Sequence, residues 1–449
     1  MPSADLARIA DAVLHAARRA GAGAADVLVV DDAQVSVDVR KGALEEAQRA
    51  EGVEIGLRAI LGRRQACISV SDISPAAIEA AAERAVAMAR LAPEDPSVGL
   101  AEPDQLAADT GAAALDLFDP SDAPSPAALE ELARRAEAAA AAVPGIAQTD
   151  GAGAAYGTRR VHLAATNGFS AGYRRTDHSL SVTAITGTGT GMERDWAADH
   201  RIHGADMDSP EEIGARAAAR ALQRADPGRP PTGAFPVLFD ERVASTLIGH
   251  LAAAANGAAI ARGSSWLRGR LGERILPEGI DLLEDPRRPR VPGSRPFDAE
   301  GLPTAAAPLV RDGVLARWVL DLSTARRLNL HSTANAARGP SAPPSPSASN
   351  LALTQGDRTR DDLLREMGTG LLVTSLIGAT INPNTGDYSR GASGLWIENG
   401  EPVRAVTECT IAGNLLRMLA SVVPANDARP WTARVVPSLL VEGLTIAGD

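Results

Sequence analysis

Cysteine is nearly absent from this chain: only Cys67 and Cys409 occur in 449 residues, far apart in sequence. That excludes a disulfide framework and a four-cysteine zinc site, and it fits a reducing compartment. Aromatic residues are also scarce, at 3%, so the core must be built from small side chains, and abundant alanine points to closely packed helices. The longest apolar runs, 247–261 and 370–381, fall short of the roughly 20 residues that a helix needs to span a bilayer. No membrane segment is expected. The first residues carry Asp5 and Asp11 and lack the basic start and apolar centre of a secretory signal, so a cytoplasmic location is expected. Positive charge is in deficit as well, with 45 Lys and Arg against 56 Asp and Glu, a formal net charge of −11. Such a balance argues against a broad nucleic-acid surface, and no direct nucleic-acid partner is expected.

What is present is 45% apolar and 22% charged, the composition of a globular chain long enough for about three domains at roughly 150 residues each. Proline-rich breaks at 93–104, 120–126 and 227–236 divide it into 1–115, 120–228 and 232–449. In the first part, Leu6, Ile9, Ala10, Val13, Leu14 and Ala17 recur at helical spacing with Ser3 as a cap, which predicts a helix over 4–20. Strand-like runs follow at 27–30, 35–39, 43–49, 53–60 and 65–70, then a helix with Ser74 as its cap and Pro75 at its first position. The same order recurs in the second part. Leu129, Leu132, Ala133 and Ala136 mark a leading helix, strands are predicted over 161–166, 169–176 and 180–186, and Ser209-Pro210 opens a closing helix. This predicts two copies of one helix–sheet–helix unit, the second with longer strands. The third part shows hairpin signals at Arg311-Asp312-Gly313 and Glu398-Asn399-Gly400, and its Pro- and Ser-rich stretch 339–349 is predicted to be a mobile loop. The class is α+β: duplicated N-terminal helix–sheet–helix units followed by a β-rich C-terminal domain.

Three short patterns invite chemical readings that their surroundings oppose. His200 and His203, among Asp199, Asp206 and Asp208, have His-x-x-His spacing, but on a strand residues three apart point to opposite faces and cannot share an ion. Gly168-Phe169-Ser170-Ala171-Gly172 has the nucleophile-elbow pattern, yet the serine falls in a strand and not at a strand-to-helix turn. Gly187-Thr188-Gly189-Thr190-Gly191 lacks the lysine and following helix of a phosphate loop and reads as a hairpin end.

The last part carries the densest set of motifs. Around the alanine-rich helix Leu247-Ile248-Gly249-His250-Leu251-Ala252-Ala253-Ala254 stand Pro296-Phe297-Asp298-Ala299-Glu300-Gly301, Glu366-Met367-Gly368-Thr369-Gly370, Thr385-Gly386-Asp387-Tyr388-Ser389-Arg390-Gly391, Trp396-Ile397-Glu398-Asn399-Gly400 and Thr410-Ile411-Ala412-Gly413-Asn414-Leu415. Together they resemble the TldD/PmbA family of metallopeptidases and modulators of DNA gyrase, and within it the PmbA branch, also called TldE. Catalytic members carry His-Glu-x-x-x-His on this helix, so that two imidazoles bind zinc and the carboxylate serves as base. In the register that the framing residues favour, those functional positions fall on Gly249, His250 and Ala254. The resemblance also implies a third ligand, a cysteine near the C-terminus, and the matching stretch 432–438 contains none.

What the resemblance implies is a non-catalytic subunit, without a metal or other cofactor of its own, of a heteromeric peptidase that processes unfolded and leader peptides. Zinc is expected in a TldD-type partner, and a homodimer is expected when the chain is isolated. An extended peptide needs backbone partners as well as a catalytic centre, so Asp298, Glu300, Gly368, Gly370, Asp387, Tyr388 and Arg390 are candidate peptide- or partner-binding residues. Gly386, Gly391 and Gly394 could also admit a neighbouring backbone, or serve hairpin geometry alone. His250, on an apolar helix, also reads as an ordinary buried histidine. Two rivals stand beside this reading: an autonomous hydrolase with divergent ligands such as His200, His203 or Asp298, and a non-proteolytic modulator of a gyrase or toxin pathway.

Overall fold

The computed structural model describes residues 5–108 and 110–448. Ser3, the expected first cap, lies outside the described residues; the carboxylate of Asp5 caps helix α1 (Leu6–Arg19) by accepting from the Arg8 N–H. After it come β1 (Ala24–Arg40), β2 (Ala43–Leu61), β3 (Arg64–Val70) and α2 (Pro75–Leu91), then α3 (Pro126–Ala141), β4 (Ile146–Ala165), β5 (Ser170–Thr186), β6 (Glu193–Arg201) and α4 (Pro210–Leu222). Ser74 and Ser209 cap α2 and α4 through the same serine-proline entry, and Ser209 completes a reciprocal capping box with Glu212.

The two predicted units fuse into one antiparallel sheet, ordered β3-β2-β1-β4-β5-β6. Its centre is the pairing of the two leading strands, running from Asp26 opposite Ala165 to Val39 opposite Ala152. Each half therefore repeats the other outward from that seam. Alternation puts Val27, Val29, Val37 and Val39 on one face of β1, and position along the strand decides what covers them: α1 and α2 cover Val27 and Val29, while α3 and α4 cover Val37 and Val39. The separate runs read at 27–30 and 35–39, and at 43–49 and 53–60, are joined, because β1 and β2 run through the residues between them. Asp31 and Asp32 stay in the ladder by pairing with Arg160 and Arg159 of β4. The first half of β4, with its Gly and Ala, and the charged β6 were not anticipated as strands.

The last domain begins with β7 (Gly233–Phe239), α5 (Glu241–Ala254) and α6 (Gly257–Arg262). Short strands follow: β8 (Leu282–Glu284), β9 (Ala307–Arg311), β10 (Val314–Leu315), helix α7 (Leu322–Leu328), β11 (Ala336–Ala337), β12 (Ser345–Pro346) and β13 (Leu351–Leu353). Then come α8 (Arg360–Met367), β14 (Gly370–Ile381), β15 (Asp387–Glu398), β16 (Glu401–Asn414), α9 (Leu415–Ala420), β17 (Val423–Pro424), β18 (Arg434–Val435) and β19 (Leu439–Ala447). The long strands form the order β16-β15-β14-β7-β19, and β19 also pairs with β16, so the sheet closes on itself. One face of it, with Val237, Phe239, Leu371, Tyr388 and Ala392, packs against α5 in the main core. The other face, with Leu238, Leu372, Leu395 and Leu440, is covered by Leu363, Leu364 and Met367 of α8.

The predicted mobile loop is a correction. Residues 339–349 are docked: Pro344 and Pro346 are buried, the Pro346 carbonyl accepts from the Asn256 side chain at 2.7 Å, and Ser349 N–H donates to Glu284 at 2.6 Å. Proline and serine make poor core, but their backbones fit flat against another chain segment. Here Pro340 lies so close to Gly56 that a Cβ there would stand 2.2 Å from the Pro340 carbonyl oxygen.

Candidate functional site

Helix α5 forms because Asp240 caps it and Val243, Ala244, Leu247, Ile248 and Leu251 supply a buried stripe. The alanine-rich run does not continue as one helix: Asn256 ends it and caps α6 with its own side chain. Gly249 and His250 lie half-buried, beside that stripe. The space a side chain at Gly249 would fill is taken by Arg434 of β18, whose Nη1 lies 2.9 Å from the position of a Cβ there. The helix and the 432–438 stretch therefore do meet, through a guanidinium. Ala254 is buried at the end of α5, and its carbonyl accepts from Ser265 Oγ at 2.6 Å.

Strand β15 brings two further residues to the same place, since Tyr388 and Arg390 are two apart and share a face. The Tyr388 ring meets His250 edge to face, with centroids 6.2 Å apart and planes at 72°. Burial, together with the charges of Arg390 and Arg434, holds the His250 imidazole below its ordinary pKa, so the ring is neutral at pH 7. Burial also pushes the Tyr388 phenol up to about 12, against the pull of Arg390. His250 Nε2, the Tyr388 hydroxyl and Arg390 Nε are all buried without a hydrogen-bond partner among the described residues.

One neutral imidazole with two guanidiniums beside it does not fit zinc, which needs three or four N, S or O donors and no competing cation. Among the described residues no three His, Cys, Asp or Glu side chains gather in a way that could hold a metal.

The other candidates lie elsewhere and engage their own chain. Asp298 is buried, its Oδ1 accepting from the N–H groups of Glu300 and Leu302 and its Oδ2 from Ala336. Glu300 accepts from the Leu322 N–H at 2.8 Å. Both belong to the loop whose Phe297 packs edge-on against Phe169 and Tyr173 of the N-terminal sheet. Asp387 is exposed and holds its turn by accepting from Thr385 and Asn414, which keep its carboxyl below the usual range. The close approaches allowed by glycine are internal: a Cβ at Gly370 would meet the Pro236 carbonyl at 2.4 Å, and one at Gly394 the Leu372 carbonyl at 1.8 Å. Gly386 packs against Trp266 and Gly391 against Ile377, while Gly368, at φ +66°, ends α8 with open space beside it.

His200 faces Asp177, whereas His203 meets the Asp116 carbonyl and lies between Asp116 and Asp119. Ser170 begins β5, with its hydroxyl 3.0 Å from His162 Nε2, and Gly189–Gly191 is a single tight turn between β5 and β6. Sequence reasoning missed Arg434; only its place in the cysteine-free stretch pointed toward it.

Sequence profiles of the PmbA/TldA metallopeptidase domains match in order: domain 1 over residues 25–89, the central domain over 119–225 and the C-terminal domain over 232–448. The chain belongs to the PmbA/TldD family. It is 36% identical to the metalloprotease PmbA of Escherichia coli over 428 residues, covering 95% of this chain and 92% of that one. A PmbA homologue of Haemophilus influenzae is 33% identical over 96% of this chain and 94% of its own length. Among solved structures, a proposed modulator of DNA gyrase from Bacteroides thetaiotaomicron superposes with a TM-score of 0.91 at 26% identity over the whole of both chains. TldE from Thermococcus kodakarensis shares the fold, with a TM-score of 0.84 at 22% identity over 98% of this chain and 100% of that one. The α+β architecture is thus that of the PmbA/TldD family, and no helix among the described residues is long and apolar enough to cross a membrane.

Proposed function

We propose that this PmbA/TldD-family chain is a TldE-type subunit that does not itself hold the catalytic metal, working in the cytoplasm with a zinc-bearing TldD-type relative to cleave unfolded and leader peptides. The observation that supports it most is the Arg434 guanidinium in the space beside Gly249. A cation at that place opposes a metal ion by charge as well as by volume, and among the described residues the charged groups acting on His250 are Arg390 and Arg434, with no carboxylate among them to activate water. In this reading bond cleavage occurs on the relative, and this chain contributes surface for substrate and partner.

The test is to purify the chain alone and together with a His-Glu-x-x-x-His-bearing relative, then to measure zinc by elemental analysis and cleavage of an unfolded peptide. Zinc carried by the relative, with full cleavage only by the pair, is the expected result. Stoichiometric zinc and cleavage by the isolated chain would overturn the proposal. Alanine substitutions at His200, His203 and Asp298 address the autonomous rival, since a chain that only assists should keep the pair active after each change that leaves it folded.

A further inference from the structure

Four side chains that can all donate hydrogen bonds converge from three separate elements: His250 from α5, Tyr388 and Arg390 from β15, and Arg434 from β18. Three of their polar atoms are buried and unpaired: His250 Nε2, the Tyr388 hydroxyl and Arg390 Nε. Tyr388 is 2% exposed, so bulk solvent does not reach its hydroxyl. Arg390 is the sharper anomaly. It lies on the core-facing side of β15 between Tyr388 and Ala392, where an ion without a counter-charge is strongly disfavoured. Neither Arg390 nor Arg434 has an ion pair with an acidic side chain among the described residues, although most buried or half-buried arginines of this chain do, as Arg58, Arg242 and Arg317 show. Donors of this kind, without an acidic side chain of the chain beside them, suit an anion.

We propose that His250, Tyr388, Arg390 and Arg434 form a carboxylate-binding site that anchors a peptide substrate. A guanidinium fork can pair with carboxylate or phosphate. The surroundings favour an organic carboxylate, because the Tyr388 ring puts apolar surface beside the donors. Arg434 is exposed and stands at the open side, while Arg390 and Tyr388 lie deeper. An incoming carboxylate meets the first guanidinium in water and loses its remaining hydration against the second. The carboxylate comes from a peptide C-terminus or from an acidic side chain. The choice of a peptide rests on the subunit reading above; the carboxylate chemistry does not.

The experiment is calorimetric titration of the purified chain with N-acetyl-dialanine, its C-terminal amide, N-acetylglutamate alpha-amide, whose only carboxylate is that of the side chain, and inorganic phosphate. The free acid is expected to bind at least about tenfold more tightly than the amide, as loss of a charge-assisted pair requires. If the glutamate alpha-amide matches the dialanine acid, a side-chain carboxylate serves equally; if only the dialanine acid binds, the C-terminus is the source. Both outcomes support the site. Arg390→Gln and Arg434→Gln should each weaken acid binding by about tenfold or more, and Arg311→Gln on β9 should leave it unchanged. Circular dichroism establishes folding; should Arg390→Gln unfold, the exposed Arg434 carries the test. Equal binding of acid and amide, no acid binding at millimolar concentration, or indifference to Arg434→Gln would overturn the proposal, as would phosphate binding more tightly than either carboxylate. Peptide cleavage by the reconstituted pair is followed in parallel. Cleavage that does not need this chain would sink the subunit reading while the acid-against-amide comparison still judged the site.

Discussion

Glu300 shows how far a buried position can move one side chain from its ordinary chemistry. Burial, reinforced by the nearby Asp298 charge, pushes its carboxyl up to about 8. The folded state therefore holds a proton that the unfolded chain releases near the ordinary glutamate value of 4.5. Folding binds the extra proton between those two values, so this group's contribution to stability is present at the acid end and is lost as pH rises toward 8. Glu300→Gln keeps an acceptor for the Leu322 N–H but cannot ionise. Thermal midpoints measured from pH 5 to 9 should fall with rising pH more steeply in the native protein than in the variant. His250 has the opposite sign: its lowered pKa removes stability as pH falls through the ordinary histidine value, so the difference between the two proteins reports the interacting pair Asp298 and Glu300. Parallel curves would show that Glu300 is ionised in the fold.

At the scale of elements, a helix in this chain holds a hairpin through one residue. Glu137 on α3 is buried, and its two carboxylate oxygens accept from the N–H groups of Lys41 and Gly42 at 2.8 and 2.7 Å, at the tip between β1 and β2, and from the Thr149 hydroxyl at 2.7 Å. Glu137→Ala removes the acceptor shared by those donors, and urea unfolding should show a loss of about 1.5–3 kcal/mol, as for hydrogen bonds to a charged group; a loss below about 0.5 kcal/mol, typical of a surface change, would contradict it. Gly214 on α4 makes a second test, because a Cβ there would stand 2.4 Å from the Ala136 carbonyl of α3. Gly214→Val should force the helix pair apart and cost about 1–3 kcal/mol in the same measurement, as overpacking does.

These elements also show what could be read in advance. The helices were legible from apolar spacing and from serine-proline entries, because a helix buries a stripe that local spacing encodes. Strand β6 was not, since Asp195 is satisfied by Arg242 of α5, a partner remote in sequence. Likewise the absence of a carboxylate beside His250 was readable, but the approach of Arg434 to Gly249 depends on β18 docking across α5, which no local pattern records.

The whole molecule depends on how the N-terminal sheet and the closed C-terminal sheet are joined. At the join Asp26 of β1 sits between Arg58 of β2 and Arg338, which precedes the docked proline segment; all three are almost fully buried. Burial alone would raise the Asp26 carboxyl, but the two guanidiniums hold it below the usual carboxylate range. Arg338 also donates to the Gly56 carbonyl at 2.9 Å, so one side chain ties charge and backbone across the join. Phe297 meets Phe169 and Tyr173 there as well, but such ring contacts contribute only about 0.5–1.5 kcal/mol each beyond their buried area. Removing one member of a buried ionic group costs more, about 3–5 kcal/mol, because the remaining charges stay buried. Arg338→Ala should therefore destabilise the join more than either sheet, and differential scanning calorimetry should resolve two transitions in the variant against one expected for the native protein. A single transition lowered uniformly would mean that the two sheets stay coupled without the triad, through the aromatic and backbone contacts alone.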